Sequence, residues 1–192
     1  MKVKAILIIS ALLIVLSVGC AKNAEVIPET PNTPPTTTTP PETTPDVVTT
    51  ASIVDTEAAF EKAISNEGTW IIAILKDLSF DKDLVVDGEY KNGKKDDAGK
   101  DIMQRKVALY TQDEDHNVTD RFLLTAPKLT FSSPMGSIEH GTFKGDLYVT
   151  VSDFQLKDAT IDGNIYFTTD EAKSTFKMDA TSKVTGVQEM AK

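Results

Sequence analysis

"TFKGDLYV" (Thr142–Val149) and "TIDGNIYF" (Thr160–Phe167) stand eighteen residues apart and carry one pattern twice. Thr142 matches Thr160, Phe143 matches Ile161, Gly145 matches Gly163, Leu147 matches Ile165, Tyr148 matches Tyr166 and Val149 matches Phe167. One step of eighteen further back, Leu129 and Phe131 align with Leu147 and Val149, and Ile138 aligns with Leu156. Apolar residues that recur at equivalent places in successive segments are how a β-solenoid builds its core, each turn stacking on the last so that like side chains form ladders. Alternation then assigns the faces. With Leu147, Val149 and Val151 inward, Tyr148 and Thr150 point out, and Tyr148 stacks on Tyr166 at the outer surface. The glycines suit corners where the backbone turns sharply. The alternative is an antiparallel β-sandwich or meander, because eighteen residues also hold two strands and two turns.

Upstream the texture is that of short strands. "TWIIAIL" (69–75), "DLVVDG" (83–88), "KVALY" (106–110), "RFLLT" (121–125) and "KLTF" (128–131) are rich in branched and aromatic residues, as are "DLYVTV" (146–151), "NIYFTT" (164–169) and "STFKM" (174–178). Gly, Asp, Asn and Lys separate them. "KNGKKDDAGK" (91–100) and "DEDHN" (113–117) are expected to be polar loops. The one good helix signal is "DTEAAFEKAISNEG" (55–68): Asp55 or Thr56 is a natural cap, and Glu57 suits the positive end. Phe60, Ala63 and Ile64 share a face there, and Asn66 and Gly68 are stop residues. Trp70 opens an apolar strand and is expected to be buried near this helix. The class is mainly β.

The stretch "TEAAFEKAISNEGTWIIAILKDLSFDKDLVVDGEY" resembles the opening of right-handed parallel β-helices of the pectate-lyase-like superfamily. There an amphipathic helix closes the N-terminal end of the coil, and a strand, an "L-x-F" step and an "L-x-V-x-G" step follow. Leu78, Phe80, Leu84, Val86 and Gly88 fill those places here. The likeness covers residues 55–90 together with the later repeats. It implies a short right-handed parallel β-helix with an N-terminal capping helix that keeps the open edge from pairing with other molecules.

The front of the chain supplies an address. Lys2 and Lys4 precede the uncharged apolar run "AILIISALLIVLSV" (5–18), shorter than the roughly 20 residues a membrane-spanning helix needs. A charged start, a short apolar run and a small residue before a cut site describe a secretory signal. Gly19 and Cys20 then resemble the lipobox of bacterial lipoproteins, in which the peptidase cuts before a cysteine whose sulfur carries diacylglycerol and whose amino group is acylated. That family prefers leucine three places before the cysteine; Ser17 stands there, with Leu16 one place further back. Cys20 is the only cysteine of the 192 residues, so no disulfide framework exists, and acylation consumes a thiol that would otherwise be a liability. Two or more acyl chains anchor stably where one is marginal. Residues 1–19 are therefore read as a lipoprotein signal peptide, 20–50 as the lipidated cysteine and a tether, and 51–192 as one β-rich domain. The tether "AEVIPETPNTPPTTTTPPETTPDVVTT" (24–50) holds seven of the nine prolines and no glycine, has little apolar mass to offset ordering entropy, and is expected to be a disordered spacer. At roughly 3 Å per residue it reaches several tens of ångströms.

The formal charge is −9, and removal of residues 1–19 takes away Lys2 and Lys4 to leave −11. With only Arg105 and Arg121 as arginines and no basic-aromatic interleaving, nucleic acid is a poor partner, and adhesion to an anionic membrane surface is disfavoured too. Enzymes of the β-helix superfamily act on acidic polysaccharides, with calcium on carboxylates and an arginine or lysine base. No such cluster is legible. Arg105 and Arg121 read as surface residues or ion-pair partners. Asp113, Glu114, Asp115 and Asp120 form an acidic group, but the glycine and distal glutamate of an EF-hand loop are missing, and a solvated loop is expected. Asp81 with Asp83 and Asp96 with Asp97 are weaker still. His116 and His140 lack companions at metal-ligand spacing, and no G-x-S-x-G, phosphate loop or dinucleotide fingerprint occurs.

No cofactor and no metal site is expected. Tyr148 and Tyr166, outward and stacked, form a strip able to hold sugar rings through face contacts; ordinary ladder packing is the alternative use of the pair. The functional expectation is a lipid-anchored cell-envelope protein on the bacterial cell membrane or outer membrane. Acylated Cys20 sits in the bilayer, and a non-catalytic domain outside the cytoplasm binds cell-wall polysaccharide or an envelope protein, or serves structural presentation. A polysaccharide lyase or hydrolase of the β-helix type is the alternative.

Overall fold

The structure, a computed structural model, describes residues 51–192; the expected signal peptide at 1–19, Cys20 and the expected tether to residue 50 lie outside the described residues. In chain order the elements are β1 (Ser52–Val54), α1 (Glu57–Ile64), β2 (Ile71–Ile74), β3 (Leu78–Ser79), β4 (Leu84–Val86), β5 (Lys91–Lys95), β6 (Asp101–Met103), β7 (Arg105–Ala108), β8 (Tyr110–Gln112) and β9 (Val118–Arg121). Then follow β10 (Leu123–Phe131), β11 (Gly136–Glu139), β12 (Thr142–Val149), β13 (Gln155–Lys157), β14 (Thr160–Asp162), β15 (Ile165–Phe167), α2 (Asp170–Thr175), β16 (Lys177–Met178), β17 (Lys183–Val184) and β18 (Gln188–Met190).

The domain is mainly β, and both large sheets are parallel. The first has the order β1-β2-β7-β11-β13-β16. The second runs β17-β14-β12-β10-β3, with β15 pairing β12 and β18, and β4 pairing β10. Antiparallel pairing is confined to two hairpins, β5–β6 and β8–β9, so an antiparallel sandwich describes neither large sheet.

The eighteen-residue match is a physical register. Leu129 lies beside Leu147 and Leu147 beside Ile165; Phe131, Val149 and Phe167 do the same one step on, and Ile138 lies beside Leu156. The columns run further than the sequence suggests. Leu84 precedes Leu129, Val86 precedes Phe131, and Leu78, Leu124, Phe143 and Ile161 form another column. Every one of these side chains is buried. Each buried aliphatic or aromatic residue contributes about 1.5–3 kcal/mol relative to exposure, so the columns are the main source of cohesion. Phe154 closes on Phe131 edge-on at 4.9 Å between ring centroids.

The step is not uniform. β10 and β12 shift register between Thr125 and Lys128, where Pro127 has no amide to give to a ladder. Gly145 answers this irregularity. Its φ is 139°, and a Cβ there would run into the carbonyl oxygen of Ala126; at Gly163 a Cβ would meet the carbonyl of Gly145 in turn. Backbone corners thus stack directly on one another, which only residues without side chains permit.

α1 forms where capping and facing agree. The Thr56 hydroxyl accepts from the Ala59 amide at 3.2 Å, and Phe60, Ala63 and Ile64 are the buried positions. Several local expectations are corrected. "KNGKKDDAGK" is not a loop throughout: Lys91–Lys95 pairs with Asp101–Met103, and the carboxylate of Asp96 accepts the Ala98 and Lys100 amides at the tip. "RFLLT" and "KLTF" belong largely to one strand, β10. Ser174 and Thr175 of the expected strand "STFKM" lie in α2, which Thr169 caps by accepting from Ala172, and only Lys177–Met178 extends. Trp70 is half-buried, and Val151 is half-buried beyond the end of β12.

The largest correction is Arg105. It is fully buried rather than a surface residue, and among the described residues it forms no salt bridge with a carboxylate. Its guanidinium donates to the carbonyls of Ala63, Ser65 and Asp87, and the Tyr90 ring covers it at 4.1 Å. The carbonyls at the C-terminal end of α1 are the negative end of a helix dipole and lack helical partners. Arg105 satisfies them from β7 and ties the helix to the first sheet.

Candidate functional site

The outward rungs of the second sheet carry the two tyrosines that the repeat places together. Leu147 and Val149 are buried, so pleating turns Tyr148 the other way. The pairing register then lines up Val85, Thr130, Tyr148, Tyr166 and Glu189 in a single outward row. The two tyrosine rings sit 4.9 Å apart between centroids, tilted by 41°. That spacing equals the separation of neighbouring strands, so the aromatic step is set by the backbone ladder itself. Both rings are half-buried.

Polar rows flank the tyrosines. On one side Lys128, Asp146 and Asn164 follow one another across β10, β12 and the start of β15, and Asp83 pairs with Lys128 at 2.8 Å. Asn164 donates through its side chain to Asp146 at 2.9 Å and accepts the Val187 amide at 3.0 Å. On the other side Ser132, Thr150 and Thr168 line up; the Thr150 hydroxyl donates to the Phe131 carbonyl at 3.0 Å. The Lys128 ammonium stands 5.4 Å from the centre of the Tyr148 ring, an arrangement that favours the charged amine. Bonding to Asp83 holds its pKa above the ordinary lysine value. The Tyr166 hydroxyl is pushed up from its ordinary value by partial desolvation and then by the negative field of Asp146 and Glu189.

Two further clusters lie on the first sheet. Glu139 is 4 % exposed yet carries a charge: burial pushes its pKa up, but Lys106 at 2.7 Å and Lys157 at 3.1 Å overcome this and hold it below the usual range. Ser137 donates to it as well. At the adjoining corner His140 and Asp158, both with positive φ, meet through Nδ1 and Oδ2 at 3.0 Å. Arg121 also binds Asp158, and the Tyr110 ring stands edge-on to His140 at 4.4 Å. Arg121 is thus the ion-pair partner expected. A groove of about 500 Å³ runs beside Lys106, with Ile53, Ile71, Ala73 and Ala108 among its lining and Tyr110 and His116 on its hairpin wall.

The acidic loop does not gather into a cation cage. Asp113 spends its oxygens on the amides of Asp115 and Asn117 and on the Asn117 side chain, which hold its carboxyl below the ordinary value. Asp83 serves Lys128, and Asp96 serves its own hairpin tip. Among the described residues no group of three or more His, Asp or Glu side chains converges on one metal position, and no helix is long and apolar enough to cross a membrane.

Sequence reasoning found the tyrosines and missed their surroundings. Lys128, Asp146 and Asn164 were within reach, since they share the eighteen-residue step. Glu189 was not, because α2 and the following turn lengthen the last interval between Tyr166 and its neighbour to twenty-three. Comparison of the chain with protein-family models, with curated proteins and with solved structures gave no match.

Proposed function

We propose that this chain is a lipid-anchored bacterial cell-envelope protein whose β-domain binds cell-wall glycan on the Tyr148–Tyr166 face without catalysing a reaction on it. Acylated Cys20 holds it in the bilayer, and residues 20–50 carry the domain outward. The domain itself is a short right-handed parallel β-helix, closed at its N-terminal end by α1. Support for the coil comes from parallel pairing in both large sheets and from the repeated register of Leu129, Leu147 and Ile165.

The observation that carries the binding role is the outward row of paired aromatic rings between two polar rows. Sugar rings present apolar C–H faces and equatorial hydroxyls, so a tyrosine step flanked by Thr130, Thr150, Asp146 and Asn164 offers both kinds of contact. The lyase or hydrolase reading would draw on Lys106 and Glu139 beside the groove. Those two charges are spent on each other, and the lining there is largely apolar, a poor match for an acidic polymer.

The test is retention on insoluble cell-wall polysaccharide. Tyr148→Ala with Tyr166→Ala is expected to lower the bound fraction of a folded protein about tenfold or more, the loss of two aromatic contacts. Unchanged retention discards the role. Intact mass of the native protein tests the anchor: a diacylglycerol-modified Cys20 at the N-terminus is expected, and an unmodified thiol refutes it.

A further inference from the structure

Resting on that glycan-binding reading, we infer that Tyr166, between Asp146 and Glu189, is a subsite for the ammonium group of an amino sugar, so that the face selects glycans bearing free amines over N-acylated or acidic ones.

The neighbouring rung supplies the pattern. Lys128 places an ammonium over the Tyr148 ring, and Asp83 neutralises it. Tyr166 repeats the aromatic surface one strand on, with Asp146 and Glu189 as its charged neighbours in place of Asp83. Among the described residues no lysine or arginine stands over the Tyr166 ring. The rung therefore has a ring face and two carboxylates, and the nearest ammonium in the register, that of Lys128 beside Asp146, is bound to Asp83 and stands over Tyr148. A protonated amine there gains the ring face and the two carboxylates together. An N-acetyl group brings no charge, and a uronate meets like charge. A sugar is favoured over a lysine-bearing peptide because hydroxyl and amide side chains (Thr130, Thr150, Asn164) border the ring pair on both sides, matching the hydroxyls of a pyranose.

The experiment uses the full chain in detergent, with a β-linked glucosamine hexamer, the corresponding N-acetylglucosamine hexamer and a lysine hexapeptide as probes. Titrations are followed in mildly acidic buffer of low ionic strength, where the amines are protonated. The glucosamine hexamer is expected to bind about fivefold more tightly than the acetylated one, and added salt is expected to erase the difference. Asp146→Asn with Glu189→Gln keeps the hydrogen-bonding shape and is expected to bring the ratio of the two hexamers' affinities to about one, any loss of the hydroxyl contacts of Asp146 falling on both hexamers alike. Tyr166→Phe is expected to keep the preference, since the ring face remains. Equal binding of the two hexamers, both lost in Tyr148→Ala, overturns the amine subsite and leaves the glycan reading standing. A preference that survives Asp146→Asn with Glu189→Gln overturns it also, because the attraction then belongs to overall charge. A lysine peptide that binds as well through the same carboxylates overturns the sugar assignment. No binding of either hexamer removes the subsite and the glycan reading together.

Discussion

A guanidinium without access to water must find its acceptors in the protein, and Arg105 finds three carbonyls. Burial lowers its pKa, yet an arginine remains charged at any relevant pH. The charge is balanced by the dipole at the end of α1, by Tyr90 and, to a lesser degree, by the field of Asp87, with no salt bridge among the described residues. Removing it takes the guanidinium donor from the carbonyls of Ala63 and Asp87, while the Ser65 carbonyl keeps the Tyr90 hydroxyl and the Gly68 amide. Arg105→Met, which keeps much of the volume, is therefore expected to cost about 3 kcal/mol in urea denaturation, with the amides of α1 losing hydrogen-exchange protection first. A variant as stable as the native chain would show that water replaces the donor. None of this was legible beforehand. Alternation in "KVALY" marks which residues alternate, but Arg105 precedes that run, and nothing in a charged side chain announces that a helix end lies within its reach. The tyrosines differ in this respect. Their stacking follows from register alone, so a repeat in the sequence was enough to bring them together.

At the scale of elements, legibility followed from how much of an element's stability is local. α1 carries its own cap and apolar stripe, and the strands around Leu129, Leu147 and Ile165 carry a repeated pattern; these emerge as expected. α2 is six residues long with only Ala172 buried, and its existence rests on the Thr169 cap and on packing around it, so its sequence reads as strand. The β5–β6 and β8–β9 hairpins interrupt the eighteen-residue step, which hides the earlier columns from inspection. The turn between β16 and β17 makes a pH-dependent contribution. Asp179 is held at about 2, below the ordinary 3.8: hydrogen bonding from Ser182 leads, desolvation opposes it, and Thr181 with the amides of Asp158 and Ser182 tips the balance downward. A carboxylate with a depressed folded value adds stability above its unfolded value and loses it as pH falls through the folded one. This support is thus complete at neutral pH and disappears between about 3.8 and about 2. Asp179→Asn is expected to flatten the acid limb of the stability curve in that window and to leave the slope near neutrality alone. Denaturation midpoints of the two proteins measured across acid pH check this, and parallel curves would reject it.

For the whole molecule the governing fact is that hydrogen bonding in each large sheet links a strand only to its immediate neighbours in the sheet order. Stability in such a stack is close to a sum of rung energies and neighbour couplings, so loss begins where a rung has one neighbour and few side chains to bury. The two sides of the stack differ. On β1 and β2 lies α1, with Phe60 and Ile64 fully covered and Arg105 bonding its end. On the other side β16, β17 and β18 have two, two and three residues, and Met178 is exposed. In the middle Leu129, Leu147, Phe131 and Val149 have neighbours on both sides and no contact with water. Unfolding is therefore expected to proceed from β16–β18 inward. Native-state hydrogen exchange provides the measurement: amides of β18 bonded to β15 should exchange at low opening free energy, those between β10 and β12 only on global unfolding, and those of β1 and β2 between these limits. The same gradient bears on binding. Glu189 stands on β18, the least secured rung, whereas Tyr148 stands on one of the best secured. An amine held by Glu189 and Tyr166 would bond the last strand to its neighbour, so a glucosamine hexamer should slow exchange in β18 while leaving β12 unchanged. Protection spread evenly over all strands, with or without the sugar, would mean that the domain opens as a single unit and that the rung-by-rung description fails.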